Sequence, residues 1–245
     1  MNTYKIVIEY DGKDFLGWQI QKNTKNTIQE GIESALKQIL NQNIRLIASG
    51  RTDTNVNALN QVAHFKTESV LNCNRFLYSL NSILPDKIAV KEINKVSDEF
   101  HARYSAKKRE YEYRITFKKK SICGNYYYKM NYDLDFIKID KFISILKGDK
   151  SFKSLCKNSS DKHNFRCYIF DLNYKLIKSR NELTFSVTAN RFLHSMVRAV
   201  IGCIIDIGRG RLDFEETKQK FLKGEKIKTT YLPGNALFLK KIYYE

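Results

Sequence analysis

Proline and glycine are scarce, at two and eleven in 245 residues. That excludes collagen-like repeats, low-complexity tracts and long flexible linkers. No run of about 18 apolar residues occurs, so no segment is suited to cross a membrane as a helix. Met1 to Tyr10 already alternate like a strand, and no charged-then-apolar leader precedes them. The expectation is a soluble, cytoplasmic protein with no membrane partner. Cysteine is present but unorganised. Its five positions (Cys73, Cys123, Cys156, Cys167, Cys203) are odd in number and contain no C-x-x-C pair. That suits reduced thiols and not a disulfide framework. Cys156, His163 and Cys167 are irregularly spaced and lack a fourth ligand, a poor zinc set. Acids are also in deficit: 26 Asp and Glu against 43 Lys and Arg leave a net charge of +17. An excess of that size favours a polyanionic partner, nucleic acid or an anionic membrane surface. A lysine-rich surface with no partner is the plainer alternative, and the distribution of the cations separates the two.

What is plentiful is core material. Hydrophobic content of 42% with 13% aromatics supports one large domain or two of about 120 residues each. Tyr4, Ile6, Ile8 and Tyr10 share one face of a strand. Thr27 and Glu30 form a capping box for a helix whose stripe is Ile28, Ile32, Ala35, Leu36, Ile39 and Leu40. Strands follow at 45–49 and 61–66, and a helix carrying Phe76, Leu77, Leu80, Ile83 and Leu84 is stopped by Pro85. Ile88 to Val96 is another strand. The second half has a similar outline. A strand over Glu110–Phe117 is followed by a helix at Ile139–Leu146 and strands at 168–177 and 183–189. A long apolar helix then runs from Phe192 to a stop at Gly208, and a short helix after it is capped by Asp213 and Glu216. A last strand spans 236–243. The expectation is an α+β fold of two similar subdomains, 1–105 and 106–245, with mainly antiparallel sheets flanked by helices. A basic active-site cleft between them is the natural place for a substrate.

Two stretches carry chemistry. Ser49 to Phe65 reads as strand, exposed loop, strand, and loops held between strands are where reactive groups are displayed. Its one carboxylate, Asp53, stands two residues after Arg51. On its own, an Asp in such a loop is more often a turn former or a helix cap. The second stretch, 101–130, holds nine Lys or Arg against two acids, Glu110 and Glu112. Tyr104, Tyr111, Tyr113, Phe117 and Tyr126–Tyr128 are interleaved with them. Cations meet phosphates and rings stack on unpaired bases, so the pattern fits RNA. The competing reading is a buried tyrosine face surrounded by solvated lysines. Arg198 sits on a helix mostly buried by pattern, where an Arg beside the core is either exposed or paired with an anion.

Taken in order, these pieces resemble the tRNA pseudouridine synthase A (TruA) family over nearly the whole chain. The blocks are Ile8-Glu9-Tyr10-Asp11-Gly12, Phe15-Leu16-Gly17-Trp18-Gln19-x-Gln21, Thr27-Ile28-Gln29 and Ser49-Gly50-Arg51-Thr52-Asp53. They continue with Gln61-Val62-Ala63-His64-Phe65, Phe100-His101-Ala102-Arg103-Tyr104-Ser105-Ala106, Arg109-x-Tyr111-x-Tyr113 and Phe192-Leu193-His194-x-Met196-Val197-Arg198. Asn55 and Asn57 stand where the family usually has Gly and His. Asn visits positive φ readily, so Asn55 preserves the bend. Ala236-Leu237-Phe238-Leu239 replaces the family's Gly-Leu-x-Leu.

The resemblance implies the pseudouridine synthase fold. It implies Asp53 as catalytic nucleophile, Tyr111 against the target uracil, and Arg51 and Arg198 holding the Asp53 pocket. Arg103, Lys107, Lys108, Arg109 and Asn57 are the further candidate RNA contacts. The implied reaction converts uridine to pseudouridine at positions 38–40 of the tRNA anticodon stem-loop. The implied assembly is a homodimer. No atoms or electrons are gained, so the reaction calls for no cofactor and no metal. Two other readings use the same basic surface: a non-catalytic RNA-binding protein or tRNA chaperone, and a synthase acting on other RNA sites. A metal-dependent nuclease needs clustered carboxylates, and the loop has one.

Overall fold

A computed structural model describes residues 1–157 and 164–245, so His163 of the weak zinc set lies outside the described residues. The chain divides into two compact units. One comprises Met1–Lys107 with Phe238–Glu245, the other Lys108–Leu237. Each carries a mostly antiparallel sheet with helices, the expected α+β organisation. Among the described residues no helix is long and apolar enough to cross a membrane.

In the first unit the central strand is β1 (Asn2–Tyr10), whose period of two buries Tyr4, Ile6 and Ile8 completely. It pairs antiparallel with β3 (Asn57–Thr67) on one side and β4 (Ile88–Val96) on the other. The short β2 (Ile47–Ala48) adds to β3. Helix α1 (Ile28–Leu40) starts where the Thr27 side chain accepts the Glu30 N–H, and buries Ile28, Ile32, Ala35 and Leu36. Helix α2 (Cys73–Ile83), capped by Asn72, buries Phe76 and Leu80. It packs on α1 and β4.

Two boundaries differ from the sequence reading. The expected strand at 45–49 is only Ile47–Ala48, and β3 starts at Asn57, ahead of the expected Gln61. For β3 the reason is a partner distant in sequence. Asn57 and Ala58 pair in parallel with Phe238 and Leu239 of the last strand, Leu237–Tyr243. Local alternation carries no trace of that pairing.

The second unit pairs β5 (Lys108–Thr116), β9 (Glu182–Ala189), β8 (Arg166–Ile177) and β7 (Gly148–Ser151) in that order, with β6 (Tyr128–Lys129) alongside β5. Tyr111, Val187 and Leu172 lie in one cross-strand row and Tyr113, Phe185 and Tyr174 in the next. Helix α3 (Phe136–Leu146) packs against α4 (Met196–Gly208) and α5 (Phe214–Lys223). The strands β6 and β7 were not expected, being too short to show alternation. Helix α4 starts at Met196 and not at Phe192, because Ser195 adopts φ 56° and the chain turns there. Gly208 is the last helical residue, not a breaker, and Arg209 follows as the cap.

The 229–232 segment lies hard against α4. A Cβ at Gly202 would stand 1.8 Å from the Thr230 carbonyl oxygen. Thr230 N–H donates to Asp206 at 2.9 Å, and Leu232 N–H reaches Arg198 O at 3.4 Å. Only a residue without a side chain fits between those two ties. Gly202→Ala is therefore expected to cost about 1–3 kcal/mol through overpacking. In a thermal melt that corresponds to roughly 2–4 °C per kcal/mol for a chain of this size. An unchanged melting temperature would mean that the segment is not held this closely.

Candidate active site

The loop between β2 and β3 is anchored on both flanks. Thr52 O accepts the Trp18 N–H at 3.1 Å, and Phe15 O accepts the Asn55 N–H at 3.3 Å. Val56 N–H closes back on Asp53 O at 3.2 Å. Asn55 adopts φ 61°, the left-handed bend that its sequence position called for. Gly17 stands at φ 93°, and a Cβ there would meet Thr52 O at 2.8 Å, so the 15–18 strip lies directly on the loop backbone.

Buried polar side chains hold the loop from within. Tyr10 Oη and Thr52 Oγ1 share a hydrogen bond of 2.8 Å. Ser49 Oγ donates to Gln61 Oε1 at 2.7 Å, while Gln61 Nε2 donates to Gly50 O at 2.9 Å. Asn57 Oδ1 accepts the Gly12 N–H at 2.8 Å. Gln61 is fully buried, and Tyr10, Thr52, Ser49 and Asn57 are nearly so. Burial pushes the Tyr10 phenol far above its ordinary value, against the lowering effect of its Thr52 and Gln61 hydrogen bonds. It stays neutral and available as a donor. The sequence reading placed Tyr10 in the core by alternation but assigned no task to Tyr10, Thr52 or Gln61. A buried hydroxyl or amide needs a partner, and that need was the available signal.

On this scaffold Asp53 is half-buried and Arg51 exposed. The loop is not uniformly exposed as expected, because Ser49, Thr52 and Val56 point inward. Asn57, a candidate RNA contact by sequence, is buried and tied to Gly12. Arg103 and Lys107 are exposed in the same unit.

The second unit carries Tyr111 and Arg198. Tyr111 is buried on β5, edge-on to Phe192 with ring centroids 5.1 Å apart. Arg198, in the first turn of α4, is half-buried, and its Nε donates to Leu232 O at 2.5 Å. Its charge favours the ionised forms of Tyr113 and Tyr231, yet burial dominates and holds both phenols above their ordinary value. Several cations of the 101–130 stretch have partners within the fold. Arg109 Nη1 donates to Asn190 O at 2.7 Å, Arg114 pairs with Glu112 at 2.7 Å and Lys120 with Glu182 at 2.7 Å. Lys108 Nζ lies 4.6 Å from the Phe170 ring centre. The strand tyrosines Tyr111 and Tyr113 form a buried face, whereas Tyr104 is exposed. The basic, aromatic stretch thus divides into structural and open parts.

A family model described as tRNA pseudouridine synthase matches residues 6–105 and 143–245. The chain belongs to this family. Asp53, Arg51, Arg103 and Arg198 fall inside the matched segments; Tyr111 and Lys107–Arg109 fall between them. A tRNA pseudouridine synthase A from Caldicellulosiruptor saccharolyticus is 38% identical over 250 residues, covering 100% of both chains. One from Thermoanaerobacter sp. is 36% identical over 247 residues, again covering 100% of each. A tRNA pseudouridine synthase A 1 from Bacillus cereus is 35% identical over 248 residues, covering 100% of this chain and 99% of that protein. As a pseudouridine synthase, the protein is an isomerase.

Beyond the loop, β3 carries His64, whose Nδ1 accepts the Ala102 N–H at 3.1 Å. Burial, aided by the neighbouring His101, pushes its pKa down to about 4 from 6.5. The unfolded chain therefore takes up this proton first as pH falls. Stability is complete above about pH 6.5, and roughly 2–3 kcal/mol is lost on the way to pH 4.5. Urea unfolding at pH 7 and pH 4.5 checks this. His64→Gln, which does not titrate, should lose less stability over the same interval, and identical losses would refute the assignment.

Proposed function

We propose that this isomerase acts on the anticodon stem-loop of tRNA, converting uridine at positions 38–40 to pseudouridine with Asp53 as nucleophile. The observation that carries this reading is a single half-buried carboxylate, two residues from Arg51, on a loop whose backbone is pinned from both sides. Full-length identity to tRNA pseudouridine synthases A supports the substrate class.

The reaction breaks the N1–C1′ bond, turns the uracil and joins C5 to C1′. The C5 proton departs and N1 gains one, so atoms and electrons balance without a redox partner. Asp53 serves either by adding covalently to the nucleotide or by drawing the C2′ proton, and both routes need it ionised. Arg51 and Arg198 supply guanidinium groups whose fixed fork of donors holds the anionic groups of the site in place. Tyr111 lies against the uracil and keeps the detached base in place as it turns. A paired target must first leave its stack, at about a few kcal/mol, and cations such as Arg103 and Lys107 recover that through phosphate contacts. The enzyme works in the cytoplasm as a homodimer.

Tritium release from tRNA labelled at uridine C5 tests the reading. Asp53→Asn keeps the shape of the side chain and removes its charge. It should lower release by at least about a thousandfold while RNA affinity stays near that of the wild type. Release by the variant at the wild-type rate would exclude Asp53, and product mapping outside 38–40 would exclude the site.

A further inference from the structure

Residues 101–105 form a tight turn that is braced far beyond what its length requires. The His101 N–H donates to Ser105 Oγ at 3.1 Å, and the Ser105 N–H returns to His101 O at 2.9 Å. His101 Nδ1 accepts from both Arg103 N–H and Tyr104 N–H, each at 3.2 Å. Below it, the His64 and His101 rings lie 4.9 Å apart. Tyr244 Oη donates to Ala102 O at 2.9 Å. Ala102 is fully buried. Yet the tip of this turn is open. Tyr104 is 76% exposed, and Arg103 and Lys107 beside it are exposed as well.

The Tyr104 ring is backed on one side by His101, with centroids 4.3 Å apart and planes inclined by 31°. The Arg103 guanidinium carbon lies over the ring, 5.7 Å from its centre and within cation–π range. An aromatic face with no core to fill gains nothing for the fold, whereas a face fixed in advance loses little entropy when a flat group settles on it. Flat aromatic groups flanked by anions are what an RNA strand offers. Its bases stack on tyrosine without demanding a sequence, and the adjoining phosphates meet arginine and lysine.

We propose that the 101–105 turn is a nucleotide-docking tip, on which Tyr104 stacks an unpaired base of the RNA while Arg103 and Lys107 hold the flanking phosphates. The proposal rests on RNA being the substrate and adds a contact separate from the Asp53 loop. The inclined rings of His64 and His101 behind Tyr104, with the turn's own hydrogen bonds, make it a rigid anvil. It binds the strand near the reacting nucleotide or apart from it, and takes no part in bond breaking.

Equilibrium binding of an unmodified tRNA transcript tests the proposal. Tyr104→Leu keeps bulk and removes the π face, and should weaken binding about 5- to 150-fold. Tyr104→Phe should stay within about twofold of wild type, since stacking and not the hydroxyl is what acts. Irradiation of the wild-type complex with tRNA carrying 5-iodouridine should crosslink the peptide holding Tyr104. Wild-type affinity in the Leu variant, or crosslinks that spare this peptide, would overturn the tip. The outcome is separable from that of the proposed reaction. Weakened binding by Tyr104→Leu in a protein that releases no C5 tritium leaves the tip standing and removes the reaction. Release together with unaltered binding does the reverse.

Discussion

Five polar side chains beneath the Asp53 loop have almost no access to water, and their hydrogen bonds decide where that loop runs. Tyr10, Ser49, Thr52, Asn57 and Gln61 are buried. An unsatisfied buried hydroxyl or amide costs about 1–3 kcal/mol, so each bond made here excludes the loop conformations that would break it. Gln61 does most, joining Ser49, Gly50 and its own neighbour Val62. A carboxylate carried on such a loop is positioned before any substrate arrives, which is the condition for orientation to contribute to rate. The half-burial of Asp53 follows from the same geometry.

The second unit uses the same device at a larger scale. Asp206 is almost fully buried on α4 and accepts from Arg209 at 2.6 Å, Thr229 at 3.1 Å and Thr230 N–H at 2.9 Å. A lone buried carboxylate would be costly; surrounded by donors it becomes a clasp for the 229–232 segment. Arg198 grips the other end of that segment through Leu232 O. An arginine that sequence reasoning singled out for chemistry thus organises backbone. The two roles are compatible, because a guanidinium presents five donors and Nε uses one.

Charge gave a true but coarse signal. The surplus of cations in 101–130 is real, yet Arg109, Arg114 and Lys120 are engaged with Asn190, Glu112 and Glu182. What distinguishes Arg103 and Lys107 is exposure, which a tally of lysines and arginines does not contain. The tyrosines divide likewise. Those at alternate positions of β5 face inward with Val187 and Phe185, while Tyr104 sits on a turn and is mostly exposed.

Period-two and capping patterns by themselves determined β1, β4, α1, α2, α3 and α5, because local spacing dictates which face of each is buried. Motif order was enough to point to the family and to Asp53. Only tertiary structure decided where β3 begins, since Asn57 and Ala58 pair with a strand from the far end of the chain. Only tertiary structure started α4 at Met196, where Ser195 turns through a positive φ that no periodicity encodes. It also turned Asn57 from a candidate RNA contact into the holder of Gly12. The common cause is that hydrogen-bond satisfaction in a buried site depends on partners brought together by folding, whereas spacing along the chain reports only which side of an element is apolar.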